Sequence, residues 1–313
     1  MKNYLRLIFG LFALSFATMS CNDNDDEEMS ADNSKTIATL VIENPNLSLL
    51  KTAVVRAGLV ETLSGNGTFT VFAPTNEAFQ AAGLSTEAVI NAVPVETLKN
   101  ILLFHVFSQK YPAASIPNGT TELTTASSQK SYVTKNSAGV FVNGAKVTAA
   151  DVNASNGVVH VIGKVLMPPT GNIVQVAQGN SNLTYLVAAV LRASEGSTNV
   201  ASVLSTTNGL TVFAPSNQAF INAGFPTIAS IQAANPNTLA NILTYHVIAA
   251  RVFSSDLTEG AMPTTVNGGK VTVTLSGGAK VKGNSNTTAS NITATDILAT
   301  NGIVHLIDQV LLP

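Results

Sequence analysis

The sequence predicts an α+β fold in which one unit of helices followed by strands occurs twice. Three observations support this prediction. Blocks of sequence recur in the same order in the two halves of the chain. Apolar residues at helical spacing come early in each copy, and strand-like apolar runs bounded by turn residues come late. Because the helices and strands are segregated and do not alternate, a wound parallel sheet is not expected.

The repeat is long and is present in two copies. The first block matches at ten of 14 positions with an offset of 141 residues, and the second at six of nine with the same offset. The third block recurs at an offset of 145. The matched blocks are 70–83 with 211–224, 98–106 with 239–247, and 151–168 with 296–313. Two copies of this length predict a tandem pair of domains, 35–168 and 170–313, and not a solenoid.

A helix is predicted early in each copy. Apolar residues and one histidine follow the i, i+3, i+4, i+7 spacing of one helix face at Leu98, Ile101, Leu102 and His105, and again 141 residues later. Thr75 and Ser216 each follow an Ala-Pro pair and precede a polar residue. A hydroxyl at this position in both copies suits a helix N-cap.

The strands are predicted on each side of these helices. Residues 69–73 form a short apolar run that ends at Pro74, which cannot donate to a ladder. Residues 140–142 lead into Asn143-Gly144, a favourable hairpin turn. Residues 158–166 are apolar on both faces at most positions and are therefore predicted to form a buried strand.

The composition excludes several classes of protein. Charged residues make up 11% of the chain and apolar residues 45%, so the bulk of it is not an intrinsically disordered protein. From residue 33 onward the chain has 12 acidic and 14 basic residues, so the predicted domains are nearly neutral. A nucleic-acid partner is not expected, because such binding needs a basic surface.

The N-terminus resembles an export signal. Two positive charges precede an apolar run at 7–17, which as a helix would rise about 16 Å, half of a bilayer core. We interpret 1–20 as a signal peptide. The single cysteine, Cys21, follows small residues as in a bacterial lipoprotein cleavage site, and we expect it to be lipidated. The alternative is an incidental cysteine within an ordinary signal peptide.

Residues 21–34 are polar and acidic, and they predict a disordered tether. An acidic cluster beside the lipidated position resembles the surface-export signal of lipoproteins in the Bacteroidetes group. The expected location is therefore the outer membrane, with the domains lipid-anchored and facing outward. The alternative orientation faces the periplasm, and the alternative role of the acidic stretch is that of a solvated spacer.

The three repeated blocks closely resemble the fasciclin-like domain over residues 35–313. This resemblance implies a wedge of β-sheet with packed helices, and a noncatalytic role in adhesion to a protein or glycan at a cell surface. It also implies contact residues, because animal members are linked to integrin binding through a Tyr-His region and an Asp-Ile motif.

The second copy carries both implied contact motifs. They are Tyr245-His246 and Asp296-Ile297, whereas the first copy has Phe104 before its histidine and Val152 after Asp151. We therefore expect the second domain to engage the partner, with Asp296 and Ile297 in a loop as the main contact. For Tyr245 and His246 the preferred interpretation is a core position, and a surface contact is the alternative. For the two aspartates the preferred role is a hydrogen bond to a loop backbone, and an exposed contact in a binding loop is the alternative.

All four histidines occupy repeat-matched positions, His105 with His246 and His160 with His305. The preferred interpretation is a structural role as neutral buried imidazoles with hydrogen-bond partners. A metal site is not expected, because zinc needs three or four protein ligands. No cofactor is predicted, and no catalytic motif is present in the sequence. The alternative function is an envelope polymer hydrolase or a small-ligand-binding lipoprotein that uses these histidines.

Replacing Cys21 tests the predicted anchor. If the thiol carries the acyl chains, Cys21→Ala should move the protein from the membrane fraction to the soluble fraction, because the variant lacks the acylated side chain. Fractionation of cells followed by immunoblotting measures this distribution. Ser20→Ala is the control and should leave the protein with the membranes. A Cys21→Ala variant that stays in the membrane fraction contradicts the prediction.

Overall fold

The computed structural model describes residues 35–313, and the predicted signal peptide, Cys21 and the acidic tether lie outside this range. The described residues form two curled sheets, each with six helices in its half of the chain. The predicted α+β class and the two tandem copies are confirmed. No helix within residues 35–313 has the length and apolar character needed to cross a membrane.

The first domain contains six helices and seven strands. The helices are α1 Ile37–Glu43, α2 Ser48–Arg56, α3 Val60–Ser64, α4 Asn76–Ala81, α5 Glu87–Ala92 and α6 Val95–Phe104. The strands are β1 Phe69–Pro74, β2 Val106–Phe107, β3 Gly119–Thr124, β4 Lys130–Asn136, β5 Gly139–Val142, β6 Ala145–Ala154 and β7 Gly157–Ile162. Single turns of 3₁₀ helix lie at Pro45–Leu47 and Ala113–Ser115.

The second domain repeats this order with one strand fewer. Its helices are α7 Ile173–Gln178, α8 Thr184–Ala193, α9 Val200–Thr206, α10 Asn217–Asn222, α11 Ile228–Gln232 and α12 Pro236–Tyr245. Its strands are β8 Leu210–Pro215, β9 Val247–Ile248, β10 Thr272–Thr274, β11 Lys280–Lys282, β12 Ser290–Ala299 and β13 Gly302–Ile307. The 3₁₀ turns lie at Ser181–Leu183 and Ser254–Asp256.

Each sheet is antiparallel except for one central parallel pair. The strand order is β2-β1-β7-β6-β5-β4-β3 in the first domain and β10-β11-β12-β13-β8-β9 in the second. The parallel pairs are β1 with β7 and β13 with β8. In the first domain, one face of β1 packs against the helices through Val71 and Ala73, and Phe72 on the other face packs beneath β4 and β5. Burial on both faces explains why these strands are apolar throughout.

The local predictions match the structure closely at the helix starts. The Thr75 hydroxyl accepts from the Ala78 amide at 3.3 Å, and the Ser216 hydroxyl accepts from the Ala219 amide at 3.2 Å. Both residues are therefore N-caps, as predicted. Two predicted ends differ. Helix α6 ends at Phe104, so that His105 follows it, and β7 ends at Ile162 rather than at 166, because the chain then leaves the sheet towards the second domain.

A buried Asn-Gly pair ties helices to the sheet in each domain. In the second domain the Asn301 side chain accepts from the Ile173 amide at 2.9 Å and donates to the carbonyls of Leu204 and Thr207, each at 2.9 Å. Asn156 makes equivalent bonds in the first domain. The next residue must be glycine, because a Cβ on Gly302 would lie 2.3 Å from the Leu210 carbonyl oxygen.

The two domains pack on each other through a shared apolar cluster. Phe253 and Leu298 of the second domain join Tyr132 and Leu166 of the first, and all four are buried. The Phe253 and Tyr132 rings lie 5.8 Å apart, and the Arg251 guanidinium lies 4.2 Å from the centre of the Tyr132 ring. Aromatic and cation–π contacts of this kind fix orientation as well as adding stability.

Removal of the Asn301 amide tests this architecture. In Asn301→Ala three backbone groups lose their partner inside the domain, and we expect the free energy of unfolding to fall by about 2–4 kcal/mol. Urea denaturation measures this loss. Asn222→Ala, at an exposed position on α10, is the control and should change stability by no more than about 0.5 kcal/mol. Equal stabilities of the two variants would contradict the assignment.

Candidate functional site

The first pair of repeat-matched histidines joins the last long helix of each domain to the segment that leaves its sheet. The Nδ1 of His105 lies 2.8 Å from the Ile101 carbonyl oxygen, and its Nε2 accepts from the Leu166 amide at 2.9 Å. His246 repeats both contacts, with the Ile242 carbonyl and the Leu311 amide, each at 2.8 Å. Because one nitrogen accepts from an amide, the proton must reside on Nδ1 and each ring is neutral.

The second pair sits in the central strand of each sheet. Nδ1 of His160 accepts from the Asp151 amide at 3.2 Å, and Nε2 lies 2.9 Å from the Tyr111 carbonyl oxygen. His305 has the same contacts with the Asp296 amide, at 3.2 Å, and the Val252 carbonyl, at 2.9 Å. These rings carry their proton on Nε2, which is the tautomer opposite to that of the first pair.

Burial lowers the pKa of all four imidazoles. The pKa falls from 6.5 to about 4 for both His105 and His246, because desolvation penalises the charged ring more than the carbonyl bond favours it. Burial also lowers the pKa of His160 and His305, against the carbonyl bond and the nearby aspartate. At neutral pH the four rings therefore hold backbone segments together as uncharged groups.

The structure does not bring the histidines together with acids as a metal site would require. Among residues 35–313, no three His, Cys, Asp or Glu side chains form a group that could hold a metal ion. Every histidine nitrogen is also already engaged with the backbone. A cation or a substrate could reach a ring nitrogen only by breaking one of these bonds.

Asp151 and Asp296 occupy the same bulge in the two domains. Both adopt positive φ, 58° and 61°, where the bulged strand carries extra residues before the Asn-Gly turn. Each side chain caps the loop before the 3₁₀ turn: Asp151 accepts from the Ala113 amide at 2.9 Å, and Asp296 accepts from the Ser254 amide at 2.7 Å. The bulge thus aims a carboxylate at a backbone amide while its own amide binds a histidine.

The surroundings of the two aspartates differ sharply. The Asp296 side chain is 2% exposed, and Lys164 of the first domain approaches its carboxylate at 3.8 Å. Gly144 of the first domain also lies against it, so closely that a Cβ there would meet the carboxylate. Asp151 is exposed, and its neighbour Val152 is 38% exposed. The Asp296–Ile297 segment, predicted from sequence as the main contact, thus lies at the junction of the two domains.

Tyr245 and His246 lie in the core of the second domain. Tyr245 is fully buried, and its hydroxyl donates to the Lys270 carbonyl and accepts from the Asn284 amide at 2.9 Å. Phe104, its equivalent in the first domain, is equally buried. The structure therefore places both residues in the core of the second domain.

The residues that form the junction between the domains are not among those predicted from the sequence. Phe253 and Leu298 correspond to Pro112 and Asn153 of the first copy at the established offsets of 141 and 145. The sequence did carry a signal for this contact. The two positions hold Phe and Leu in the second copy, where they are buried, but Pro and Asn in the first copy. Such a difference between repeats indicates a buried contact.

The fold and the bonds described above define a tandem pair of α+β domains in which repeated histidines bind backbone groups of residues 35–313. A family model described as the fasciclin domain matches residues 45–168 and 182–313. The chain therefore belongs to the fasciclin domain family, as its repeated blocks indicated.

Several relatives share this domain. The chain is 39% identical over 166 residues to protein sll1483 of Synechocystis, covering 50% of this chain and 91% of that protein. It is 30% identical over 253 residues to the transforming growth factor-beta-induced protein ig-h3 of Sus scrofa, covering 80% of this chain and 35% of the relative. Human periostin is 27% identical, with 82% of this chain and 29% of periostin covered. The chain thus spans about a third of these two animal proteins.

A solved structure of similar organisation is the FAS1 domain pair from the insect cell adhesion molecule fasciclin I. The two structures align with a TM-score of 0.41 and 18% identity, over 87% of this chain and 98% of the other.

The neutral histidines predict a loss of stability in mild acid. The unfolded chain binds protons at histidine below about pH 6.5, whereas His105 and His246 in the folded protein do not until about pH 4. Stability should therefore fall as the pH drops through this window, by about 1.4 kcal/mol per pH unit for each histidine. Urea denaturation between pH 7 and pH 4.5 measures the slope.

The variant His246→Gln separates this effect from the titration of carboxylates. A glutamine amide can donate to the Ile242 carbonyl and accept from the Leu311 amide without titrating. The dependence of the unfolding free energy on pH should therefore decrease by about 1.4 kcal/mol per pH unit, the contribution of one histidine. An unchanged slope would show that His246 does not carry the pH dependence.

Proposed function

We propose that this protein is a noncatalytic adhesion or assembly module that is anchored to a bacterial envelope through lipidated Cys21 and binds a protein or glycan at the cell surface. Fasciclin domains are known from cell-adhesion proteins. The observation that carries the noncatalytic part is the engagement of all eight histidine ring nitrogens with backbone groups. The histidines thus act as structural cross-links, which favours binding over catalysis.

The exposed Asp151–Val152 segment of the first domain is the contact surface that we propose. Its carboxylate uses one oxygen on the Ala113 amide, which leaves the other for a donor on a partner. Val152 borders a groove of about 280 Å³ whose other walls include Leu40 and Val161. Asp151 does not line this groove, so the segment offers an orienting bond at Asp151 and a separate apolar contact at Val152.

The equivalent segment of the second domain illustrates such a contact within the chain. There Lys164 approaches Asp296, and Val165 and Met167 line a pocket together with Ile297. This contact lies within the chain, so of the two equivalent segments only Asp151–Val152 remains exposed for an external partner. This assignment replaces the expectation that the second domain provides the contact, because a side chain that is 2% exposed cannot meet an external partner without domain separation.

An adhesion assay with matched surface variants tests the proposal. Cells that display the full chain are applied to surfaces coated with purified matrix proteins or envelope polysaccharides, and attached cells are counted. Val152→Lys places a charge in the groove and should reduce attachment at least fivefold. Val89→Lys changes a residue of similar exposure, 40% against 38%, on α5 and should have no effect.

Two results would contradict different parts of the proposal. Equal attachment of the two variants would show that the Asp151–Val152 segment is not the contact. If displayed wild-type chain adheres to none of the coated surfaces more than cells lacking it, adhesion itself is wrong. Asp296→Ala should leave attachment unchanged but lower the thermal unfolding midpoint, because the Ser254 amide loses its buried acceptor.

A further inference from the structure

The second domain carries a long stretch of sequence without charge. No Asp, Glu, Lys or Arg occurs in residues 196–250, which include helices α9 to α12. At the chain's average of 11%, a stretch of this length would hold about six charged residues. Residues 60–109 of the first domain, which match 201–250 at the offset of 141, contain five. Helices α9 to α12 thus lack the charged side chains that usually cover an exposed surface.

Helices α8 and α11 share an exposed surface in this part of the domain. The two helices pack on each other, and Gln232 of α11 lines a groove with Val187 and Leu191 of α8. Ile228 lies one helical turn before Gln232 and therefore projects from the same side of α11. Leu191 is 56% exposed and Ile228 is 37% exposed. Two large apolar side chains thus face solvent beside the groove.

Helix α10 extends this surface. The Asn217 side chain at its start accepts from the Tyr185 amide of α8 at 3.0 Å, and the Tyr185 hydroxyl donates at 3.2 Å to the carbonyl of Pro226 in the turn after α10. Ile221 lies one helical turn after Asn217 and is 38% exposed. The surface that we call the α8 face consists of Val187, Leu191, Ile221, Ile228 and Gln232.

The first domain has charged or polar residues at three positions of the α8 face. They are Lys51 for Val187 at the offset of 136, and Gln80 for Ile221 and Glu87 for Ile228 at the offset of 141. The exchange runs the other way at Val89, which corresponds to Ser230, and at Ala81, which corresponds to Asn222. On balance α8, α10 and α11 carry one charged residue, whereas α2, α4 and α5 carry four. Depletion of charge around exposed apolar side chains is typical of the core of a protein interface.

The charges that border the α8 face are already paired within the chain. Arg192 and Glu195 line the groove and form an ion pair at 2.5 Å. The Arg192 Nε also donates to the Ala234 carbonyl at 2.9 Å. A partner surface of ordinary composition, with about a quarter of its residues charged, would lose the hydration of those charges here and find no free counter-ion. The α8 face is therefore matched by a surface that is itself uncharged.

We propose that the α8 face binds the α8 face of a second copy of this chain in a twofold symmetric dimer. The face is itself a surface of the required chemistry, and a second copy is present wherever the protein is made. A twofold contact places the surface on itself, so apolar side chains meet apolar side chains and no like charges are opposed. The same contact through the matched helices of the first domain would bury Lys51 and Glu87. The dimer uses no residue of the Asp151–Val152 segment and is independent of the adhesion that we propose.

Sedimentation equilibrium of the full chain tests the proposal. The chain carries Cys21→Ala, so that neither an acyl chain nor a disulfide contributes to association. We expect twice the mass of one chain at a concentration of about 200 µM, with a Kd in the micromolar range, about the weaker limit for an interface of ordinary size. Raising sodium chloride from about 0.05 M to about 0.5 M should change the Kd by less than about threefold, because salt screens charges and the α8 face has no unpaired charge.

Matched variants assign the contact to the α8 face. Leu191→Glu should weaken the dimer at least about thirtyfold, because the contact would bury an unpaired carboxylate. Val55→Glu is the control and should leave the Kd unchanged, since Val55 is the matched residue of the first domain and is also 56% exposed. Ile228→Glu introduces the residue that the first domain has at this position, and it should weaken the dimer by a similar factor without lowering the thermal unfolding midpoint.

Three results would overturn the proposal. The first is a chain that sediments as a monomer at about 200 µM. The second is a dimer that Leu191→Glu and Ile228→Glu both leave intact, since it would form through another surface. The third is a monomer that binds neutral oligosaccharides on an array and loses them in Leu191→Glu, which would assign the α8 face to a glycan. The attachment of cells with Val152→Lys bears on none of these results, so the two proposals fail separately.

Discussion

Four uncharged imidazoles hold the backbone of this protein together. In each domain one ring connects the end of a long helix to the segment that leaves the sheet, and the other connects a central strand to a bulge and to a loop. Each ring must be a donor and an acceptor at once, so each depends on staying neutral. Burial favours this neutral state by lowering the pKa of each of the four rings.

The bulge that serves the second histidine also determines where the surface carboxylates lie. The backbone amide of Asp151 or Asp296 faces the ring, and its side chain is therefore turned away towards the loop before the 3₁₀ turn. The backbone amide at the bulge thus binds the histidine, while the aspartate side chain points the other way. In the first domain the Asp151 side chain is exposed to solvent, and in the second the Asp296 side chain lies against Lys164. A duplicated unit acquires two roles through its neighbours alone.

The pair is asymmetric in its helical layer as well. The first domain carries Lys51 on α2, while the second has Val187 at the matched position. The two copies share their fold but not their surface residues in the helical layer.

The sequence by itself determined the two-domain repeat, the α+β class, the capped helix starts at Thr75 and Ser216, and the matched positions of the four histidines. These features are local or depend on comparison of the two copies, so periodicity and cap chemistry suffice to predict them. The tertiary structure alone decided that Asp151 is exposed and Asp296 covered. Lys164 and Gly144 of the first domain and Ser254 of the second all lie against the Asp296 carboxylate. Burial is thus a property of the packed neighbours rather than of the residue.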